Sequence, residues 1–294
     1  MTTNVGNSPE LVTEIVQRIL VTPLQEASAF LSSGVRIFES DGSPVRVPKI
    51  NGFTNPPVWV TENGNIPTNL DADFDEVRLL ERTVKSLAGI ATFSESLLRQ
   101  SVVNVEAAIR DQLVFTFADK IDQTFFAGTG GTGGDEPLGM LNWADTQDLT
   151  AVGALTNFDP LLDALGLALA ASVDATRLQW FMRPETFTKL SKLKDGQQRY
   201  QLTPDPTEGG KFRLHGYPVT VTKKIPVVDG TTDTTSICLA DMSTVAVARD
   251  RNAEVIRLGE LYRETQRIGL RVLTRMDCAP LLPEAVVILR GVNL

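Results

Sequence analysis

Histidine and cysteine are nearly missing from this chain of 294 residues. His215 is the single imidazole, and Cys238 and Cys278 stand far apart with no CxxC or HxxxH companion. A structural or catalytic zinc site needs three or four such ligands at close spacing, so that class is excluded. Two lone cysteines read as small buried hydrophobes rather than a disulfide or redox pair. Long apolar runs are missing too. The longest candidate, 164–173, is broken by Gly166 and falls well short of the roughly 18 residues that a membrane span needs. No cation precedes Arg18, so no secretory signal with a basic n-region is read at the start, and the expectation is a chain that stays in the cytoplasm or in whatever is built there. Basic charge is in deficit: 28 Lys plus Arg against 36 Asp plus Glu leave a net −8, which argues against a surface built to grip exposed DNA. Neither GxSxG nor GxxxxGK[ST] occurs.

What is present is ordinary for a folded, soluble protein, with 42% apolar and 22% charged residues. At roughly 100–200 residues per domain the length suits one large domain or two ordinary ones. Ser8 and Pro9 open a short amphipathic helix in which Leu11, Val12, Ile15, Val16, Ile19 and Leu20 form one apolar stripe. From 35 to 64 the chain alternates in short stretches cut by Pro44, Pro48, Pro56 and Pro57, which reads as extended chain. Val58-Trp59-Val60 runs into Glu62 and then Asn63-Gly64, the strongest short hairpin signal, and a second extended arm is expected over 74–93. Thr92 and Glu95 have capping-box spacing. Beyond them Leu98, Val102, Val105, Ile109, Leu113, Phe117, Ile121 and Phe125 recur at helical spacing and predict one helix over 94–127, ending at Gly128. Such a helix is far longer than the mean of about 11–12 residues and would act as a strut. A compact α/β segment follows: helices over 159–171 and 184–194, strands over 178–182, 215–223 and 236–240, and a turn at Asp229-Gly230. Strand-like stretches at 254–258, 269–275 and 285–289 close the chain.

Three motifs carry possible chemistry. The run Gly128-Thr129-Gly130-Gly131-Thr132-Gly133 has the letters of a dinucleotide fingerprint but follows a helix instead of a strand and leads into Asp135-Glu136-Pro137, so helix termination is the better reading. The triplet Asp71, Asp73, Asp75 resembles half a calcium loop, yet Glu76 and Arg82 occupy the positions that need Gly and a bidentate Glu. His215 sits at a strand entry as a packing or hydrogen-bonding residue. Trp59 is either an interface anchor on a projecting loop or a staple for its own hairpin. The candidate functional residues are therefore interface residues: Leu11, Ile15 and Ile19 on the arm, and Trp59, Glu62 and Asn63 on the loop. No catalytic, cofactor-binding or metal residues are assigned. An arm, a two-stranded projection and a strut cannot bury themselves within one subunit, which points to a structural protein covered by copies of itself.

The ordered set of short pieces resembles the major capsid proteins of tailed bacteriophages with the Hong Kong 97-type fold. The pieces are Val45-Arg46-Val47-Pro48 leading to Trp59-Val60 and Glu62; Ile90-Ala91 and Phe93-Ser94 entering the long helix; and Asp122 with Phe125-Phe126, Gly128 and Gly130. Further along come Pro137 to Leu141, Trp180-Phe181-Met182 with Pro184 and Thr186, and Leu190 with Leu193 to Gly196. Leu214 with Gly216-Tyr217-Pro218-Val219, Leu239 to Ser243, and Arg275 with Asp277 before Pro283 and Ala285 complete the series.

The resemblance implies an α+β fold: an N-terminal arm (1–48), an extended β-hairpin loop (49–92), a peripheral domain (93–150 and 245–280) holding the spine helix, and an axial α/β domain (151–244 and 281–294). It implies a homo-oligomer of hexamers and pentamers in an icosahedral shell around double-stranded DNA, contacted non-specifically. Scaffolding, portal and decoration proteins are candidate partners, without a membrane, a cofactor or enzymatic activity. The location is the virion, assembled in the host bacterial cytoplasm. Some family members weld subunits through a loop lysine, but none lies between Lys49 and Lys85, so that chemistry is not expected here. Only about 30 to 45 residues precede the loop, so scaffolding is a separate protein, is not needed, or has been trimmed away. Two other readings remain: an encapsulin-type bacterial nanocompartment shell, and a soluble enzyme with a site in the α/β lobe.

Overall fold

A computed structural model describes residues 28–41, 43–53, 58–62, 72–81, 86–100, 105–131, 134–171, 173–202, 212–258, 261–262, 264 and 266–294. In chain order the strands and helices are β1 (Arg36–Glu39), β2 (Val45–Phe53), β3 (Ala72–Leu79), β4 (Ser86–Ser94), α1 (Glu95–Gln100), α2 (Val105–Ala127), β5 (Gln147–Leu149), α3 (Asp159–Ala170) and β6 (Leu178–Met182). They continue with α4 (Pro184–Ser191), β7 (Arg213–Leu214), β8 (Tyr217–Val221), β9 (Val227–Val228), β10 (Thr234–Asp241), β11 (Val245–Leu258), β12 (Arg267–Pro280) and β13 (Val286–Asn293). None of the described helices is long and apolar enough to cross a membrane.

The described strands make three sheets. One runs β5-β13-β10-β6-β8-β7, with β9 also paired to β10; a second runs β1-β11-β12-β4; the third is the hairpin β2-β3. Alternation explains why the first lies at the centre. Trp180, Met182, Ile237, Leu239, Val287 and Leu289 face one way and pack on Leu161, Ala164 and Ala168 of α3 and Leu190 of α4. Their neighbours Phe181, Cys238, Ala240, Val286 and Ile288 face the other way and join Phe125 and Phe126 of α2, Met140 and Trp143. Both faces are thus covered, as a sheet of near-continuous apolar strands requires.

The second sheet shares that core through Val245, Val247 and Cys278. It takes the earlier turns of α2 on the same face, where Phe93, Ile268 and Leu270 meet Ile109 and Leu113. The helix therefore binds two sheets along its length. At its end the chain passes so close to itself that only glycine fits. A Cβ on Gly139 would lie 2.4 Å from the Gly128 nitrogen, and one on Gly128 would lie 2.3 Å from the Pro137 carbonyl. The Gly139 amide donates to the Gly128 carbonyl at 2.8 Å. The Asn142 side-chain amide donates to the same carbonyl at 2.8 Å. The fingerprint-like glycines thus close a helix, as their context implied.

Several expectations are corrected. The extended arm over 74–93 is two strands in different sheets: β3 pairs with β2, whereas β4 pairs with β12. The break falls at Leu79 and Leu80, both buried, with Leu80 left-handed at φ 53°. The hairpin arm that pairs is 45–53, not 58–60; Asn63 and Gly64 lie outside the described residues, as does the helix carrying Leu11, Ile15 and Ile19. The expected 94–127 helix is described as α1 and α2, with 101–104 outside the described residues. Its cap is Ser94, whose hydroxyl accepts from the Ser96 amide at 3.2 Å, because Thr92 is still in the sheet opposite Gly269. Helix α4 stops at Ser191 instead of 194. His215 is not strand: with Gly216 it makes the tight turn between β7 and β8, both residues at positive φ, which is the primed hairpin geometry.

Two alanine substitutions check the glycine argument. Gly139→Ala should destabilise the subunit by about 1–3 kcal/mol through forced overpacking. Gly166→Ala, in an exposed interior turn of α3 with nothing within 4 Å of the added Cβ, should stabilise it by about 0.5–1 kcal/mol. Urea midpoints of the soluble subunit read both signs.

Candidate interaction surface

The surface features grow out of two buried carboxylates. Asp122 lies on the C-terminal half of α2 beside Phe125 and Phe126, and its carboxylate takes the Ala29 amide at 2.7 Å, the Phe30 amide at 3.3 Å and the Ser28 hydroxyl. The Leu31 amide in turn donates to the Ser28 hydroxyl at 3.2 Å. Phe30 is fully buried, edge-on to Phe125 and to Phe126 at 5.2 Å each. These contacts fix the place where the N-terminal segment joins the body. Burial pushes the Asp122 carboxyl above its ordinary 3.8, against the opposing pull of the Ser28 and backbone hydrogen bonds and of Lys224.

Asp277 on β12 does the same for the hairpin. One of its oxygens accepts from the Leu80 amide at 3.0 Å and the other from its neighbour Cys278 at 3.0 Å. Leu79 and Leu80 pack on Ala246 and Ala248, with Phe38, Val45 and Val77 around them. Past this base the hairpin is held by its own ladder and by cross-strand ion pairs, Lys49 with Asp75 at 3.2 Å and Arg46 with Glu76 at 3.9 Å. Exposed pairs of this kind contribute little, about 0–1 kcal/mol, and an isolated two-stranded ribbon is marginal in water. Asp75, read as part of a failed calcium motif, is one of these pairs; Asp71 lies outside the described residues.

Between the two strands of the ribbon, residues 58–61 belong to no strand or helix and Glu62 lies in a turn, unpaired among the described residues. Trp59 is fully exposed, and Val58, Val60, Phe74 and Glu62 are exposed with it. A staple would be covered by its own hairpin, and among the described residues nothing covers Trp59. Of the six residues assigned to the interface, Trp59 and Glu62 are brought together on one exposed segment; Leu11, Ile15, Ile19 and Asn63 lie outside the described residues. Asp122 and Asp277 were missed as anchors. The signal for Asp122 was there, a lone acid followed three and four positions later by Phe125 and Phe126; nothing local marks Asp277, whose partner is far away in the chain.

Among the described residues, no cluster of His, Cys, Asp and Glu could hold a metal ion. His215 stands edge-on to Phe158 at 5.4 Å. Cys238 is buried and its thiol is pushed up to about 12, which keeps it protonated. A cavity of about 400 Å³ lies between α2, the 131–137 loop and the start of β4, lined by Leu87, Ile121, Phe125 and Met276 with Lys120, Asp135 and Glu136. Lys120 there pairs with Glu136 at 3.7 Å.

A model of the phage capsid family matches residues 9–291. No curated protein is a significant match to the sequence. Among solved structures, the capsid of a native GTA particle is similar with a TM-score of 0.74, 18% identity, and coverage of 95% of this chain and 94% of that one. A structure from Mycobacterium phage Bobi gives 0.75 at 16% identity over 99% and 98%, and one from Microbacterium phage Oxtober96 gives 0.73 at 15% over 97% and 98%.

The Asp122 anchor has a pH signature. With its carboxyl raised, the folded chain keeps a proton that the unfolded chain has released, so the stability it contributes is complete below 3.8 and is lost as pH rises through the raised value. Asp122→Asn should remove that dependence. Urea unfolding of both proteins across this range should give a wild-type advantage that shrinks with rising pH, and an advantage that grows would refute the assignment.

Proposed function

Because the chain belongs to the phage capsid family, we propose that it performs that family's task with the division of labour implied by its sequence. It is a major capsid protein of a phage shell, a structural protein and not an enzyme. Its copies close as hexamers and pentamers into an icosahedral wall around double-stranded DNA, assembled in the host cytoplasm, with scaffolding, portal and decoration proteins as partners. The arm (1–48) lies along a neighbour and the extended loop (49–92) crosses the adjacent subunit. Residues 93–150 with 245–280 form the peripheral domain, and 151–244 with 281–294 the axial domain at the capsomer centre. The net charge of −8 fits a wall that contains DNA instead of gripping it.

The observation that carries this reading is the fully exposed Trp59 on a hairpin that its own subunit leaves uncovered. An exposed aromatic on a projection anchors an interface when a partner buries it. The nanocompartment alternative shares the architecture and differs in contents, so nuclease-protected DNA inside native particles excludes it.

Two outcomes are expected. Trp59→Ala should cut particle yield and lower particle melting temperature while subunit circular dichroism is unchanged; equal yield and melting would refute the contact. Deleting residues 1–22 should change assembly or particle size in electron micrographs, and particles identical to wild type would sink the arm's role through Leu11, Ile15 and Ile19.

A further inference from the structure

Among the described residues strand β4 is an edge of its sheet, paired on one side, to β12. Proteins guard such edges with lysine, proline, bulges or a covering element. β4 has none of the first three: its nine residues, SLAGIATFS, include no charge and no proline, and its register with β12 is unbroken over all nine. One face of it packs inward, where a Cβ on Gly89 would meet Phe117 of α2 at 3.2 Å. The opposite face, with Ser86, Ala88 and Ile90, is exposed.

The same chain carries a segment with the complementary character. Val58-Trp59-Val60-Thr61-Glu62 is β-branched and aromatic, exposed and outside every described strand, with Glu62 in a turn. Drawn out as a strand, it would place Trp59 on one side and Val58, Val60 and Glu62 on the other. A parallel run that sets Trp59 level with Leu87 accounts for three features together. Trp59 then faces the 400 Å³ cavity that Leu87 lines, where Asp135 and Glu136 offer acceptors for the indole N–H. Val60 covers Ala88. Glu62 comes level with Ile90, whose partner on β12 is Arg271. The Arg271 Nε is buried without a hydrogen-bond partner, and no ion pair holds Arg271 among the described residues. Two strand spacings, about 10 Å, separate the backbones, within the joint reach of the two side chains.

We propose that β4 of one subunit receives residues 58–62 of a second copy as an added parallel strand, with Trp59 seated beside Leu87 and Glu62 facing Arg271. Main-chain hydrogen bonds supply the affinity, and the cavity and the charge pair set the register. The proposal rests on Trp59 being an assembly contact and names the surface that receives it.

Particles of the full chain test it. Val60→Cys with Ala88→Cys, oxidised after assembly, should give a ladder of linked chains on non-reducing gels; Val60→Cys with Leu162→Cys, on the exposed side of α3, should give none, and both native cysteines are buried. Unmodified particles read the same contact twice more. Emission from Trp59, the exposed one of three tryptophans, should shift to the blue and lose iodide quenching on assembly. Amide exchange over 86–94 should slow by about tenfold or more. If Trp59 becomes buried while 86–94 gains no protection and the 60–88 pair does not link, this receiving strand is wrong and the Trp59 contact stands. A Trp59 that stays open to iodide in particles overturns both.

Discussion

Everything in this subunit hangs on the burial of Phe126. Its ring lies 5.5 Å from Phe181 of the central sheet and 5.2 Å from Phe30 at the entry of the N-terminal segment, within a core that also takes Val247 and Cys278 from the second sheet. A helix end, two sheets and the arm entry therefore share one set of contacts. Truncating a buried aromatic of this kind costs about 3–5 kcal/mol, a large share of the 5–15 kcal/mol by which domains are stable. The close passage of Gly128 and Gly139 follows from the same constraint, since the chain must turn back at once for Met140 and Trp143 to reach the core.

Much of this was legible in the residues. The short apolar runs at 178–182 and 285–289 and the helix signal at Asp159-Pro160 found the central sheet and α3 to within a few residues, because both are set by local patterning and burial. Trp59 was legible as an aromatic beside two prolines on a loop, and its exposure is what an interface anchor requires before a partner arrives.

The rest was not local. β1 runs beside β11 and β4 beside β12, pairings across roughly two hundred residues that no window of sequence reports. The Val-, Leu- and Thr-rich composition that runs through 74–93 hid a change of sheet, since residues on either side of Leu80 pair with different strands. His215 misled for a related reason: a turn with two positive φ values usually announces itself with Asn-Gly or Asp-Gly, and here the first position is held by a histidine set edge-on to Phe158. Asp277 is invisible until Leu80 is placed against it.

That last contact also sets the mechanics of the projection. Both strands of the hairpin join the body at the Val45–Leu79 end, where the Leu80 amide meets a buried carboxylate and Phe38, Val45 and Val77 pack with Ala246 and Ala248. Eight residues of β3 at 3.3 Å make a lever of about 26 Å, so a 10° rotation at its fulcrum sweeps the far end through about 4–5 Å. Rotation at that base would let identical subunits meet neighbours at different inclinations while their cores stay the same. Angular tolerance would then reside in the few residues that pack the base.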